Sequence, residues 1–277
     1  MTLPLDRHYK NVASLLTVEM FWGVSLALIS MVAVLPVFLS QLGASNTVIG
    51  ALPVVWILAT AFSGPFAAYA TGGLAHRKGF VILLHVLAAI PYLGIAAWFG
   101  LMKRPGPAMD IAFFVAAWGL SWVLMGFTIP VWINFIGKVT RPELRARSFG
   151  TIFFFQTLMG TIGGWVASRI LSSHLSFPVN YALGFLVAAV CMAVGAIFFL
   201  PVREEPGSVV ERGTPLGTVM VHVREILADR SGLRVYLGAL VLSTGSYLLI
   251  TYYPVYAEGR FSLRPRDSAL YVAVCSA

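Results

Sequence analysis

Residues 79–101 read GFVILLHVLAAIPYLGIAAWFGL and carry no Asp, Glu, Lys or Arg. At about 1.5 Å per residue, an α-helix of this length covers roughly 35 Å. The hydrocarbon core of a bilayer is about 30 Å thick. The stretch is therefore predicted to cross a lipid bilayer as one helix.

The same pattern recurs along the whole chain. Of its 277 residues, 58% are hydrophobic and 11% are charged, whereas soluble domains are roughly 45 to 50% apolar and about 25% charged. Further apolar blocks predict spans at about 14–38, 47–70, 111–136, 149–171, 180–201 and 235–257. An eighth begins near Ser268 and is too short to cross, so we expect the natural protein to continue beyond it. The sequence indicates an all-α membrane protein whose solvent is the lipid bilayer.

The charged residues do not indicate a soluble binding partner. The net charge is +8, but Lys and Arg lie between the apolar blocks and form no basic face with interleaved aromatic residues, so nucleic-acid binding is not expected. Cys191 lies in an apolar block and Cys275 near the end, a pattern that predicts no disulfide framework. The first apolar stretch is too long for a signal-peptide core and lacks a small-residue cleavage site, so it is expected to remain as a membrane anchor.

Basic residues collect in alternate connections between the spans. One side carries Arg7, Lys10, Arg77, Lys78, Lys138, Arg141, Arg145, Arg147, Arg203, Arg212, Arg224, Arg230 and Arg234. The other side carries Lys103, Arg104, Arg260, Arg264 and Arg266. Because basic loops stay on the cytoplasmic side, we expect a multi-pass protein of the plasma or inner membrane with a cytoplasmic N-terminus.

The spacing of the spans divides the chain into three parts. Residues 1–201 are predicted to form a six-helix transmembrane bundle, and residues 235–277 the seventh helix and a truncated eighth, which begin a second bundle. Residues 202–234 are polar and of mixed charge, and we interpret them as a cytoplasmic linker. Its amphipathic piece from Val219 to Ala228 either lies on the membrane surface or is a solvated helical connector.

The loop between the second and third spans reads GGLAHRKGFV from 72 to 81. It resembles the loop Gly-x-Leu-Ala-Asp-Arg-x-Gly-Arg-Arg of the major facilitator superfamily, with matches at Gly72, Leu74, Ala75, Arg77 and Gly79. His76 stands in place of the acid, and Phe80 and Val81 stand in place of the last two basic residues. The resemblance implies a cytoplasmic gating loop with a weakened charge network.

A second loop, PELRARSFG at 142–150, is similar to the pseudo-repeated cytoplasmic loop of the same family, in which Pro precedes Arg and Gly opens the next helix. The resemblance implies gating roles for Arg145 and Arg147. The alternative is that these residues and Arg77 serve only to keep their loops in the cytoplasm.

Six spans, a linker and further spans also resemble this superfamily, whose members usually have two six-helix bundles. The resemblance implies secondary active transport of an unidentified small solute by alternating access, driven by a proton or another ion. The sequence contains no phosphate loop and no His-Glu-x-x-His metal site, so the energy for pumping is expected to come from an ion gradient. No set of nucleophile, base or metal ligands is visible in the spans, so neither catalysis nor a cofactor is expected. An intramembrane enzyme and a non-transporting scaffold or sensor on the same fold are the alternatives.

Glu19 is the only acid well inside a predicted span, roughly 8 Å past its start. A carboxylate at that depth is unfavourable unless it meets a cavity, a basic partner or a proton. Trp22 shares its helical face, and helix one usually lines the central cavity in the family. We expect Glu19 to bind either a coupling proton or a cationic substrate. The alternative is a structural tie to an Arg of a cytoplasmic loop.

Further cavity candidates lie in spans four, five and seven. Trp118 and Trp122 share a stripe on span four, and they either line the cavity or pack against other helices. Gln156 lies one turn before the close-packing pair Gly160 and Gly164, which makes it a candidate to meet substrate. On span seven, the hydroxyl groups of Tyr247 and Thr251 are candidates to hydrogen-bond a polar solute.

Overall fold

The computed structural model describes residues 3–71, 73–103, 105–205, 221, 224–225 and 228–276. In these residues the regular structure is helical. The α-helices are α1 (Leu5–Leu28), α2 (Val34–Gln41), α3 (Asn46–Thr71), α4 (Lys78–Leu101), α5 (Pro107–Val139), α6 (Arg145–Leu171), α7 (Val179–Ile197), α8 (Arg230–Phe261) and α9 (Pro265–Ser276). A short 3₁₀ helix, Pro142–Leu144, precedes α6.

The predicted fold class is confirmed. Seven stretches of the described chain are long and apolar enough to cross a bilayer: Leu5–Leu28, Asn46–Gly64, Lys78–Leu101, Pro107–Val139, Pro142–Leu171, Val179–Ile197 and Arg230–Phe261. The most apolar of them, α4, contains the stretch of residues 79–101 that the sequence singled out. Most of the predicted linker lies outside the described residues, so the division into three parts stays a prediction.

The first predicted span differs from the structure. It was expected to be one helix over 14–38, but α1 begins at Leu5 and ends at Leu28, and α2 follows only at Val34. Pro36 explains the break, because its ring would clash with the carbonyl group four residues earlier if the helix ran on. In the first turn of α2 that ring is tolerated. The Ser30 carbonyl oxygen accepts the backbone N–H groups of Val34 and Leu35 at 3.0 and 2.9 Å, which gives the first donors of α2 an acceptor.

The helices up to α7 pack into one bundle. Helix α1 packs most extensively on α6 and also on α7, while α4 packs on α7 and α5, and α3 packs on α5. Helix α8 contacts α3 and α2, and α9 contacts α6. The last two helices therefore lie against the face of the bundle that α2, α3 and α6 form.

The two ends of the bundle differ in character. At one end, which we call the basic end, polar contacts join the start of α1 and the residue before α4 to the end of α5 and to the segments that follow α5 and α7. At the opposite end α2 inserts the buried ring of Phe38 among aromatic rings, with centroid distances of 4.9 to 5.5 Å to Phe99, Phe114, Tyr181 and Phe185. Polar bonds thus join the elements at the basic end, and aromatic packing joins them at the opposite end.

Candidate functional site

Glu19 and Gln156 meet inside the bundle. The Gln156 amide nitrogen donates a hydrogen bond of 2.6 Å to the Glu19 carboxylate, and Glu19 is only 5% exposed. None of the ion pairs among the described residues includes Glu19. The described part of the chain therefore gives this carboxylate a neutral amide partner, and the tie to a loop Arg that the sequence left open is not present there.

Glycines bring the two side chains together. A Cβ atom at Gly23 would overlap the backbone carbonyl oxygen of Gln156. One turn further along, a Cβ at Gly163 would lie 2.7 Å from the Val24 carbonyl oxygen and 2.8 Å from the Ala27 Cβ. Since only glycine allows backbones to approach this closely, these positions determine where α1 crosses α6. The Glu19 and Gln156 side chains lie beside that crossing.

The pair lies deeper than the sequence indicated. Because α1 begins at Leu5, Glu19 lies about 21 Å along the helix from its first residue. Gln156 lies about 17 Å along α6 from Arg145. Both residues are near the middle of their helices, where a carboxylate is most costly in a bilayer.

Trp132 of α5 lines the same region. Its ring lies 6.3 and 6.0 Å from the rings of Phe149 and Phe153 on α6. The indole lies near Glu19, but its N–H completes no hydrogen bond among the described residues. A buried indole donor of this kind is available to a polar atom that enters the region. Trp132 thus packs within the bundle, between α5 and α6.

A second aromatic group joins the bundle to α8. The ring of Trp56 on α3 lies 4.7 Å from Tyr247 and 5.4 Å from Trp122. Trp118 lies 6.0 Å from Trp122 and is 1% exposed. The sequence analysis did not single out Trp56, because one tryptophan in an apolar span carries no periodic signal. The Trp122 indole N–H is buried and has no hydrogen-bond partner in the described chain.

Trp22 lies within the packed part of the bundle. Its ring meets the buried His85 ring edge-on at 5.2 Å, and its Cδ1 atom is 3.7 Å from the position of a Cβ at Gly195 on α7. The His85 Nδ1 atom is 2.7 Å from the Val81 carbonyl oxygen. These contacts are packing contacts, so a role for Trp22 in substrate binding stays a prediction.

Helix α8 closes on the bundle at the end opposite the basic end. The Tyr252 hydroxyl donates to the Asn46 carbonyl oxygen, and a Cβ at Gly50 would overlap that hydroxyl. Nearer the tip, the Gln41 amide nitrogen lies 3.4 Å from a Glu258 carboxylate oxygen. Polar contacts therefore join α8 to both α3 and α2 at this end.

Towards the basic end, a groove lies between α3 and α8. It has a volume of about 490 Å³ and is lined by Trp56 and Ile57 on one side and by Tyr236, Leu240 and Ser243 on the other. The buried Thr251 is 0% exposed, and its hydroxyl group has no hydrogen-bond partner among the described residues. The two helices thus make a polar contact at one end and border an open groove towards the other.

A buried carboxylate joins three elements at the basic end. Glu204 follows α7, and its side chain is 2% exposed. It accepts hydrogen bonds from the Arg77 backbone N–H at 2.8 and 2.9 Å and from the Lys78 backbone N–H at 2.9 Å. The Lys138 ammonium donates to Glu204 at 2.7 Å and to the Ala75 carbonyl oxygen at 2.6 Å. Glu204 was not identified from the sequence, since nothing in the sequence places the exit of α7 beside the loop before α4.

These contacts determine the charge state of Glu204. Burial by itself raises the pKa of the Glu204 carboxyl, but the hydrogen bonds from Lys138, Arg77 and Lys78 outweigh burial and hold the pKa below its ordinary value. A carboxyl with a lowered pKa in the folded state contributes stability above the ordinary Glu pKa and loses it as the pH falls. Glu204 is therefore ionised and stabilising at neutral pH.

The other residues of the first gating loop have smaller roles in the structure. Gly72 lies outside the described residues. The Leu74 backbone N–H donates to the Thr71 carbonyl oxygen at 3.1 Å, which forms the turn after α3. Gly79 lies in the first turn of α4, and a Cβ there would meet no atom within 4 Å.

In the second gating loop, Arg145 and Arg147 differ. The Arg145 guanidinium donates to the Gly137 carbonyl oxygen at 2.6 Å, which satisfies a carbonyl group in the last turn of α5. Arg147 is exposed. The same loop contacts α1, because the Arg141 backbone N–H donates to the His8 ring at 3.2 Å. Gating by either arginine stays a prediction.

Asn11 of α1 ties three elements of the basic end. Its amide nitrogen donates to the Val139 and Arg203 carbonyl oxygens at 2.9 and 3.0 Å, and its carbonyl oxygen accepts the Arg203 backbone N–H at 2.9 Å. Asn11 was not identified from the sequence, because a single polar residue near a helix end gives no signal of its partners. In the described chain, no group of three or more His, Cys, Asp or Glu residues is arranged to hold a metal ion.

The comparisons with known proteins agree with this architecture. Residues 15–277 match the Major Facilitator Superfamily. A curated relative from Bacillus subtilis (strain 168), described as the uncharacterized transporter YclF, is 29% identical over 153 residues, which cover 51% of this chain and 30% of the relative.

Solved structures show the same fold. A D-xylose-proton symporter matches 97% of this chain and 65% of its own with a TM-score of 0.66 and 15% identity. A bacterial homolog of the human lysosomal transporter Spinster, in an inward-facing conformation, matches 99% of this chain and 60% of its own with a TM-score of 0.68 and 19% identity. At such identities the likeness concerns the fold alone. The chain spans less than two thirds of the length of these proteins.

The approach of α1 to α6 predicts the effect of a single methyl group. Gly23→Ala forces a Cβ against the Gln156 backbone, so we expect it to destabilise the bundle by about 1 to 3 kcal/mol. Gly184→Ala is the matched control, because a Cβ at this buried helical position meets no atom within 4 Å. The thermal unfolding midpoint in detergent should fall for the first variant and stay level or rise for the second. Equal midpoints would contradict the close crossing.

Proposed function

The chain belongs to the major facilitator superfamily, and from this premise we propose that the protein is a secondary active transporter of a small solute. It is a multi-pass integral membrane protein, and membership in this family of transporters implies no enzymatic activity. We further propose that an ion gradient drives transport and that the N-terminus is cytoplasmic, which makes the basic end the cytoplasmic end.

The observation that carries this proposal is the Glu19–Gln156 pair. An ionised carboxylate in mid-membrane is disfavoured by roughly 2.5 to 3.5 kcal/mol, and a neutral amide offsets only part of that cost. Binding of a proton or of a cationic solute neutralises the carboxylate and so removes the rest of that cost. Glu19 therefore alternates between a form that holds a proton and a form that has released it, and this exchange couples the gradient to movement of the solute.

The side chains around Glu19 indicate what the site offers to a solute. Gln156 provides amide groups, and Trp132 provides a buried indole N–H and an apolar ring. Trp122 provides a second indole N–H further towards the opposite end. A site with a few donors between apolar walls suits a small solute that has hydrogen-bond acceptors on a compact apolar body.

The contacts of α8 support alternating access. Helices α3 and α8 touch at Tyr252, and an open groove lies between them from Trp56 towards the basic end. In the proposed orientation this arrangement is closed to the outside and opens towards the cytoplasm. The opposite state requires the Tyr252 contact to break, and rocking of two bundles about a central site supplies that movement.

The second candidate is a non-transporting scaffold or sensor on the same fold. The departures at His76, Phe80 and Val81 from the family's loop pattern favour it. Reconstitution of the whole protein into liposomes separates the two functions. A transporter gives flux of a solute that depends on the protein, whereas a scaffold gives none for any solute of a broad panel.

Glu19→Gln tests the coupling. The variant keeps the size of the side chain but cannot lose a proton, so we expect uptake to stop responding to a pH gradient while downhill exchange persists. Uptake of a panel of neutral and cationic solutes by the whole protein is measured in liposomes with and without an alkaline interior. Glu205→Gln, which changes an exposed acid at the basic end, is the control. Unchanged proton dependence in Glu19→Gln would rule out the coupling role.

The contact between α3 and α8 predicts a shift in conformation. Tyr252→Phe removes one hydrogen bond, worth about 0.5 to 1.5 kcal/mol, and should favour the state that is open at the end opposite the basic end. Spin labels at the exposed Ser45 and Ser262 report the separation of the two elements. Gly50→Ala should act in the same direction, because its Cβ displaces the Tyr252 hydroxyl.

Gly245→Ala on α8 is the control for both variants, since a Cβ there meets nothing within 4 Å. We expect the population at longer label distance to grow by about two- to tenfold in the two test variants and to stay constant in the control. Identical distance distributions in all four proteins would refute the role of this contact in closure.

A further inference from the structure

The first turn of α4 lacks a cap from its own loop. Helix α4 begins at Lys78, and the residue before it, Arg77, makes no side-chain hydrogen bond that caps the helix. The first N–H groups of a helix have no partner within the helix and need an acceptor. His76, directly before Arg77, is exposed, and an imidazole is a poorer acceptor for helix N–H groups than a carboxylate is.

The acceptor comes instead from the exit of α7. Both oxygens of Glu204 face the amide groups at the start of α4, and the distances of 2.8 to 2.9 Å are those of charge-assisted hydrogen bonds. A negative charge at a helix N-terminus is also stabilised by the helix dipole. Glu204 is therefore bound as the anionic ligand of a helix start that lies 127 positions earlier in the chain.

Lysine side chains complete the arrangement. Lys138, at the end of α5, bonds both the carboxylate and the Ala75 carbonyl oxygen, so it holds the loop on its other side. The Lys78 ammonium donates to the Leu200 and Val202 carbonyl oxygens at 3.1 Å each. The loop before α4 is thus fixed by groups from α5 and from the exit of α7.

The neighbouring acid is a natural comparison. Glu205 pairs with Arg7 at the surface, and its side chain is 58% exposed. Surface pairs of this kind contribute little to stability. Glu204 is buried and bonded to the loop before α4, whereas Glu205 is exposed and paired with Arg7. Glu205 therefore serves as the control for Glu204.

We propose that Glu204 is a positioning residue that supplies from the exit of α7 the carboxylate which the loop before α4 lacks at His76. Without it, the Arg77 and Lys78 amides lose their acceptor and the loop is released, while the bundle itself stays folded. This role is independent of the proposed transport function, because it concerns only the conformation of the loop.

Amide hydrogen exchange of the full chain in lipid nanodiscs tests the proposal. In Glu204→Gln we expect the Arg77 and Lys78 amides to exchange about tenfold faster than in the unchanged protein. The amides in the interior of α4 should keep their protection. Glu205→Gln should leave both sets unchanged.

A second substitution distinguishes positioning from general stabilisation. An aspartate side chain hydrogen-bonds the backbone N–H two residues later, so His76→Asp places a carboxylate within reach of the Lys78 amide. In the Glu204→Gln background it should restore the protection of Lys78 to within about twofold of the unchanged protein. If Glu204→Gln only destabilised the protein in general, an aspartate at position 76 would not restore the protection of the Lys78 amide.

Three results would overturn the proposal. The first is unchanged exchange of Arg77 and Lys78 in Glu204→Gln, and the second is faster exchange spread over the whole of α4. The third is no recovery on adding His76→Asp. If Glu204→Gln fails to fold, Glu204→Asp replaces it, because it keeps the charge but withdraws the carboxylate by one methylene. The same amides should then exchange faster, whereas Glu205→Asp should have no effect.

Discussion

A lipid bilayer offers no water to a polar group, so each polar group inside it must find a partner in the protein. This constraint accounts for the helical spans, whose backbone groups bond one another, and for the additional hydrogen bonds found where a helix is interrupted or meets its neighbour. At the break after α1 the Ser30 carbonyl oxygen collects the backbone N–H groups of the next turn. The Ser25 hydroxyl bonds carbonyl oxygens of its own helix and of α7. Trp122, Trp132 and Thr251 are exceptions, because their buried donors have no partner among the described residues. Glu19 has a partner, but a neutral amide does not balance the charge of an ionised carboxylate.

The position of Glu19 follows from backbone packing and not from loops. Gly23 and Gly163 let α1 and α6 approach until their backbones touch, and this crossing carries the Gln156 side chain to the acid. The loops at the basic end are held by a different set of groups, above all Asn11 and Glu204. A change in one set therefore need not disturb the other. The Glu19–Gln156 pair and the loops at the basic end are therefore stabilised by different groups within the same bundle.

The sequence predicted what depends on local composition. Apolar blocks gave the number of spans, and the lone acid in a span identified Glu19. The partner of Glu19 was not predicted, because a contact between α1 and α6 depends on how the helices cross. For the same reason the sequence left Glu204 without a partner, since its contacts lie 66 to 127 positions away. The break before α2 was missed because Pro36 lies within an apolar run that reads as one span by hydropathy.

The distribution of contacts between the two ends bears on how the protein moves. At the basic end, the hydrogen bonds of Asn11 and Glu204 join elements of the first bundle to one another. At the opposite end, the polar contacts that the described residues make between that bundle and α8 are those of the Tyr252 hydroxyl and of Gln41 with Glu258. A rocking movement needs bonds within a bundle to outlast those between bundles, because only then does each bundle turn as a unit. In the described part of the chain the bundle up to α7 meets this condition, since several buried bonds hold it together and fewer polar bonds tie it to α8.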